Sequence, residues 1–134
     1  MKVFNLFISH SWTYGDQYER LVDLLASQTY FEFKDYSVPR DDPVHTSGSV
    51  QKLREAIWRQ MRPAHVVLVL AGVYATYSRW IKEEINLAKE MGKPIIAVAP
   101  WGADKISSVV RENADRIVRW NSSSIVQAIR ELAK

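Results

Sequence analysis

The stretch Trp80-Ile81-Lys82-Glu83-Glu84-Ile85 sets two adjacent glutamates inside an apolar helical pattern, and it holds the carboxylates best placed to do chemistry. At about 100° per residue, a core stripe drawn through Ile81, Ile85 and Ala88 turns Glu83 to solvent and leaves Glu84 about 60° from the stripe's centre. A carboxylate bordering a buried face is partly desolvated, which strengthens its interaction with a bound hydroxyl or a developing positive charge. The plainer role for Glu84 is a rim residue that reaches solvent or pairs with a Lys or Arg; helix geometry alone leaves both open. Other chemistries have less to work with. The chain has no cysteine, which excludes disulfides, thiolate metal sites and cysteine nucleophiles. His10, His45 and His65 lie in different elements without metal-like spacing, so no metal site is expected. Neither a Walker loop nor a GxGxxG fingerprint is present to cradle phosphate.

These residues need a scaffold, and the hydrophobic pattern supplies one. Val3 to Ser9 is a short, nearly continuous apolar run, as expected of a strand buried on both faces. Further strands are expected at Phe31 to Phe33, His65 to Leu70, Pro94 to Ala99 and Arg116 to Trp120. Helices are expected at Tyr14 to Ser27, Val50 to Met61, Ser78 to Met91, Ile106 to Asn113, and from a Ser124/Gln127 capping box to Ala133. Gly92 stands where a helix-ending glycine belongs. Strands alternating with helices imply a parallel sheet covered on both faces, a flavodoxin-like three-layer α/β sandwich with strand order 2-1-3-4-5. Without a repeat or linker, residues 1–134 are expected to form a single domain.

Ligands of such sheets bind beyond the carboxyl ends of the strands, where strand order reverses. That places the candidates in the loops Ser9 to Tyr14, Asp35 to Ser49, Ala71 to Tyr77 and Pro100 to Asp104, and at Asn121. The segment Lys34 to Ser49, long and polar with two prolines and a glycine, is expected to become ordered when ligand binds. A phosphorylated receiver domain would need an acidic pair after the first strand and an aspartate ending the third; Ser9-His10 and Ala71-Gly72 stand there instead. A flavodoxin's hydroxyl-rich phosphate loop is matched only loosely by SHSWTYG at 9–15. The formal charge of +3 comes from Lys and Arg scattered among acids, so nucleic acid is not an expected partner. No run approaches the roughly 20 apolar residues of a membrane span, and a cytoplasmic location is expected.

Residues FISHS at 7–11, the W-x-x-x-E-I of Trp80, Glu84 and Ile85, and GKPII at 92–96 together resemble a Toll/interleukin-1 receptor (TIR) domain. DYSVP at 35–39 and PWG at 100–102 bring the resemblance closest to the prokaryotic TIR-like branch that includes the TIR subunits of Thoeris anti-phage systems. One departure stands out: receptor TIR domains carry R-D-x-x-P-G after the second strand, whereas Arg40-Asp41-Asp42-Pro43 is followed here by Val44. That puts loop-mediated assembly in doubt more than catalysis. The resemblance implies cleavage of NAD at the nicotinamide–ribose bond with Glu84 essential, and a cyclic ADP-ribose-type second messenger read by a separate effector protein. It also implies self-association. NAD would be a substrate, with no further cofactor.

The chemistry of the residues is compatible with this. Nicotinamide leaves a cationic substrate as a neutral molecule, so one carboxylate that stabilises an oxocarbenium-like ribose suffices without a catalytic pair. Ser9, His10, Ser11, Trp12, Tyr36, Tyr77, Trp80 and Trp101 are the candidate substrate contacts, the aromatic ones, with Tyr14, as stacking surfaces that exclude water. For each aromatic taken singly, packing under a loop is the favoured role, and Trp58 and Trp120 are assigned to core or loop packing outright. Two other classes stay open: a non-catalytic TIR-like interaction or nucleotide-binding module, and a nucleoside deoxyribosyltransferase-like hydrolase.

Overall fold

The computed structural model describes residues 3–9, 15–36, 50–70, 79–99 and 108–133. Ten elements follow in order: β1 (Val3–Ser9), α1 (Gly15–Ala26), β2 (Glu32–Asp35), α2 (Val50–Met61), β3 (Val66–Leu70), α3 (Arg79–Glu90), β4 (Ile95–Ala99), α4 (Ser108–Asn113), β5 (Arg116–Arg119) and α5 (Ser122–Leu132). The five strands form one parallel sheet of order β2-β1-β3-β4-β5, the order anticipated above.

Alternation along the strands divides the core in two. Phe4, Leu6 and Ile8 of β1, Leu68 of β3 and Val98 of β4 meet Leu21 and Leu25 of α1 and Ile125 and Ile129 of α5. On the other face Phe7, Val67, Val69, Ile95 and Ala97 meet Ile57 and Met61 of α2, Ile85, Leu87 and Ala88 of α3 and Val110 of α4. The central strands β3 and β4 are buried along their whole length, which is why VVLVL and IIAVA carry no polar residue.

Local signals set the boundaries. Gly92 adopts φ +69°, the left-handed conformation that ends α3, and Lys93 N–H then donates to the Ala88 carbonyl. The Lys93 ammonium donates to the carbonyls of Arg62 and Ala64 at 2.9 and 2.7 Å, joining the end of α2 to the start of β4. Burial pushes that ammonium's pKa below its ordinary value. At the amino edge of the sheet, His65 Nδ1 accepts from the Asn5 N–H at 3.0 Å, a structural role for a strand-start histidine.

Three expectations need correction. The second strand runs through Asp35, because residues 32–35 pair in register with Val3 to Leu6; Lys34 and Asp35 therefore belong to the ladder and not to the following loop. The last helix opens three residues earlier than a Ser124/Gln127 box would allow. Its N-cap is Asn121, whose side chain accepts from Ser124 N–H at 3.1 Å, while Gln127 donates to Glu131. Trp58 is 41% exposed rather than packed in the core, with the Arg62 guanidinium 5.3 Å from its ring centroid. Trp120 does pack, half-buried, on the α1/α5 side of the sheet. Among the described residues no helix is long and apolar enough to cross a membrane.

Candidate active site at the carboxyl edge

Each helix returns antiparallel to the strands, so α3 leaves the carboxyl edge of the sheet and Glu84 lies about 8 Å along it at 1.5 Å per residue. Glu84 is 2% exposed. It does not border the buried stripe but sits near its centre, because the stripe is wider than Ile81, Ile85 and Ala88 indicate. Leu87 is buried and Met91 half-buried against the same cluster, and they extend the arc toward α2. Taking Glu84 as the origin, Ala88 lies at about +40°, Met91 at about −20° and Leu87 at about −60°.

The same shift corrects the assignment of Glu83. At about −100° it flanks Leu87 on the side facing α2, and its side chain is only 17% exposed. There Arg54 donates to Glu83 Oε2 at 3.2 Å and also pairs with Glu90, one arm of the guanidinium to each carboxylate. Glu83 is thus an interhelical ion-pair residue and not a solvated one. Sequence reading did not single out Arg54. Its only trace there is an arginine on one helix and glutamates seven apart on another, which become partners once α2 is known to lie beside α3.

Ser9 and Glu84 are the buried polar side chains among the described residues. Ser9 ends β1, in register with Val69 of β3, so it stands where the strand order reverses. Alternation from Phe7 puts it on the face covered by α2, α3 and α4, the face toward which Glu84 turns. Its hydroxyl is fully buried and makes no hydrogen bond among the described residues. An unmet buried hydroxyl costs about 1–3 kcal/mol. Tyr36 follows β2; its N–H donates to the Leu6 carbonyl at 2.8 Å and holds it half-buried at the same edge. Asn121, at the carboxyl end of β5, commits its side chain to capping α5.

His10, Ser11, Trp12, Tyr14, Tyr77 and Trp101 lie outside the described residues, as does the Arg40 to Val44 motif; of Trp80 only the helical backbone is described. Among the described residues no group of three or more His, Cys, Asp or Glu could hold a metal ion.

An open, doubly wound parallel sheet, with a buried hydroxyl where its strand order reverses and a buried carboxylate on the helix that follows β3, defines a flavodoxin-like α/β domain. Within that class, the chain matches the family model of the TIR-like domain of the Thoeris protein ThsB over residues 7–105, more than half its length, and it belongs to that family of the Thoeris defence system. No curated protein matches it. Among solved structures, a conserved protein from Enterococcus faecalis V583 is similar with a TM-score of 0.64 at 9% identity, over 97% of this chain and 99% of that one. A 3-dehydroquinate dehydratase-like protein from Bifidobacterium longum is similar with a TM-score of 0.50 at 12% identity, over 99% of this chain and 96% of that one. At such identities these likenesses concern the fold.

Proposed function

We propose that this TIR-like domain cleaves NAD at the nicotinamide–ribose bond and passes the ADP-ribosyl group to a nucleophile within the same molecule, giving a cyclic ADP-ribose-type messenger. The observation that carries the reading is Glu84, a carboxylate 2% exposed on the helix that leaves the ligand-binding edge of the sheet. Burying a carboxylate is less favourable than burying an aliphatic side chain of similar size, even when it is paired. A fold that keeps one in a core stripe sacrifices stability for something else, and active sites are where that exchange is found.

The chemistry asks little more of the chain. As the bond from ribose C1′ to nicotinamide breaks, its electron pair returns to the pyridinium nitrogen and the positive charge moves to the ribose. Glu84 stabilises that charge electrostatically and orients the ribose hydroxyls. Ser9 supplies a hydroxyl that desolvation has already prepared for a substrate hydrogen bond, and Tyr36 a ring at the same edge. His10, Ser11, Trp12, Tyr77, Trp80 and Trp101 are the remaining substrate contacts, the aromatic ones excluding water. The new bond to C1′ then forms from an adenine nitrogen or a ribose hydroxyl; entry of water would give linear ADP-ribose. The product is read by a separate effector protein, and neighbouring subunits associate as substrate binds. No nucleic acid or membrane takes part, and NAD as substrate suits a cytoplasmic enzyme.

Incubation with NAD, and separately with nucleosides, followed by mass spectrometry of the products, tests this. Nicotinamide together with a cyclic ADP-ribose isomer is the expected outcome. Unchanged NAD would leave the non-catalytic module, and cleaved nucleosides the deoxyribosyltransferase-like hydrolase. Light scattering under assay conditions checks the association, which a monomer at full activity would contradict.

A further inference from the structure

We infer that Arg54 is a positioning residue, whose two-armed grip on Glu83 and Glu90 fixes the rotation of α3 about its axis and so the place of the Glu84 carboxylate. The inference rests on the catalytic reading above for its effect on turnover, and on geometry alone for its effect on α3.

Glu83 and Glu90 are seven residues apart, two helical turns, and both lie on the flank of α3 that faces α2, at about −100° and −120° from Glu84. Arg54 reaches both from α2 with different nitrogens of one planar guanidinium. A single ion pair resists rotation poorly, because either side chain can follow the movement. A rigid fork tied to two points about 10 Å apart along the axis resists it far better.

The burial of Glu84 makes the rotation of α3 matter. Glu84 sits inside the buried stripe of α3, between Leu87 and Ala88 around the axis, so any turn of the helix moves its carboxylate within the core. Beside the clamp, an open cleft of about 340 Å³ is lined by Arg54, Glu55, Trp58 and Arg59 of α2 and by Leu87 of α3. Turning α3 by about 10° would carry a carboxylate at a radius of about 6 Å through about 1 Å, a displacement large enough to cost an enzyme tenfold or more. Because Arg54 is 29% exposed and Glu90 58%, the clamp adds little to global stability, and its effect falls on geometry. It also joins the catalytic helix to the helix that follows segment 37–49.

Arg54→Met keeps the aliphatic stem and removes the fork. The expected result is a fall in kcat for nicotinamide release of about tenfold, with KM changed less than about twofold and the melting temperature nearly unchanged. Amide exchange in the first half of α3 should quicken in the same variant. The triple variant Arg54→Glu, Glu83→Arg, Glu90→Arg rebuilds the clamp with charges reversed and should recover most of the lost kcat. Wild-type kcat in a folded Arg54→Met, or a folded triple variant as slow as the single one, overturns the inference while leaving the NAD reading intact. Should the wild type leave NAD untouched, the catalytic reading fails by itself; exchange along α3 then decides the clamp, and unchanged protection in Arg54→Met overturns it.

Discussion

Glu83 and Glu84, neighbours on α3, make opposite commitments: Glu83 turns toward α2 and meets Arg54 at 3.2 Å, whereas Glu84 turns into the core and is 2% exposed. One step of about 100° separates an interhelical ion pair from a buried carboxylate. The two substitutions that remove these charges are therefore chemically alike and structurally unlike.

Ser9 offers a test in which stability and activity should move apart. Ser9→Ala removes a buried hydroxyl that makes no hydrogen bond among the described residues, so thermal unfolding is expected at the same temperature or a higher one. If the hydroxyl meets substrate, KM for NAD should rise severalfold. A variant less stable than wild type, with unchanged kinetics, would make Ser9 a structural residue.

Asn121 is expected to matter for folding and not for the site. Asn121→Ala removes the acceptor for Ser124 N–H and should lower stability by about 1 kcal/mol, seen as an earlier chemical-denaturation midpoint with the same slope. Loss of turnover in a protein that remains folded would return Asn121 to the list of site residues.

Glu131 gives the acid side of the stability profile a specific contributor. It accepts from Gln127 at 2.9 Å and pairs with Arg116 of β5, and these contacts hold its carboxyl below the ordinary 4.5. A carboxyl depressed in the folded state binds fewer protons there than in the unfolded chain. Its contribution is thus present above the unfolded value and lost as pH falls through the folded one. The melting difference between wild type and Glu131→Gln, small because the site is exposed, should be constant at neutral pH and shrink below about pH 4. A difference that does not change on acidification would show that the pair adds nothing.

The parts of this molecule written in local pattern were legible in the sequence. VVLVL and IIAVA could be little other than doubly buried strands, Gly92 announced the end of α3, and the alternation of elements led to the observed strand order. What failed depended on neighbours. The stripe on α3 was drawn too narrow because Leu87 and Met91 also pack against the cluster between the sheet, α2 and α3, so Glu84 falls inside the stripe and Glu83 on its flank. Trp58 was assigned to packing on residue type, yet it lies outward on α2, where the Arg62 guanidinium covers its ring. Asn121 and Ser124 are both good capping residues, and the choice between them followed from where β5 ends. Of the candidate site, Glu84 was singled out by helix periodicity and by resemblance and Ser9 by topology, and both are buried polar side chains in the structure. Arg54 had no local signal, since its partners lie 29 and 36 residues away.

The central claim is that the Glu84 carboxylate, and not the charge of this helix in general, carries the cleavage of NAD. Glu84→Gln keeps size and hydrogen-bonding reach while removing the charge, so nicotinamide release should fall on the order of a hundredfold or more, with unfolding temperature unchanged or raised. Glu83→Gln keeps a side-chain oxygen that accepts from Arg54, so both points of the grip remain and its rate should stay within about threefold of wild type. The decisive measurement is the rate of nicotinamide release by the two purified variants side by side, each with its unfolding temperature. A hundredfold separation between two folded proteins is the expected result; equal rates, or a Glu84→Gln that is inactive only because it is unfolded, would contradict the account.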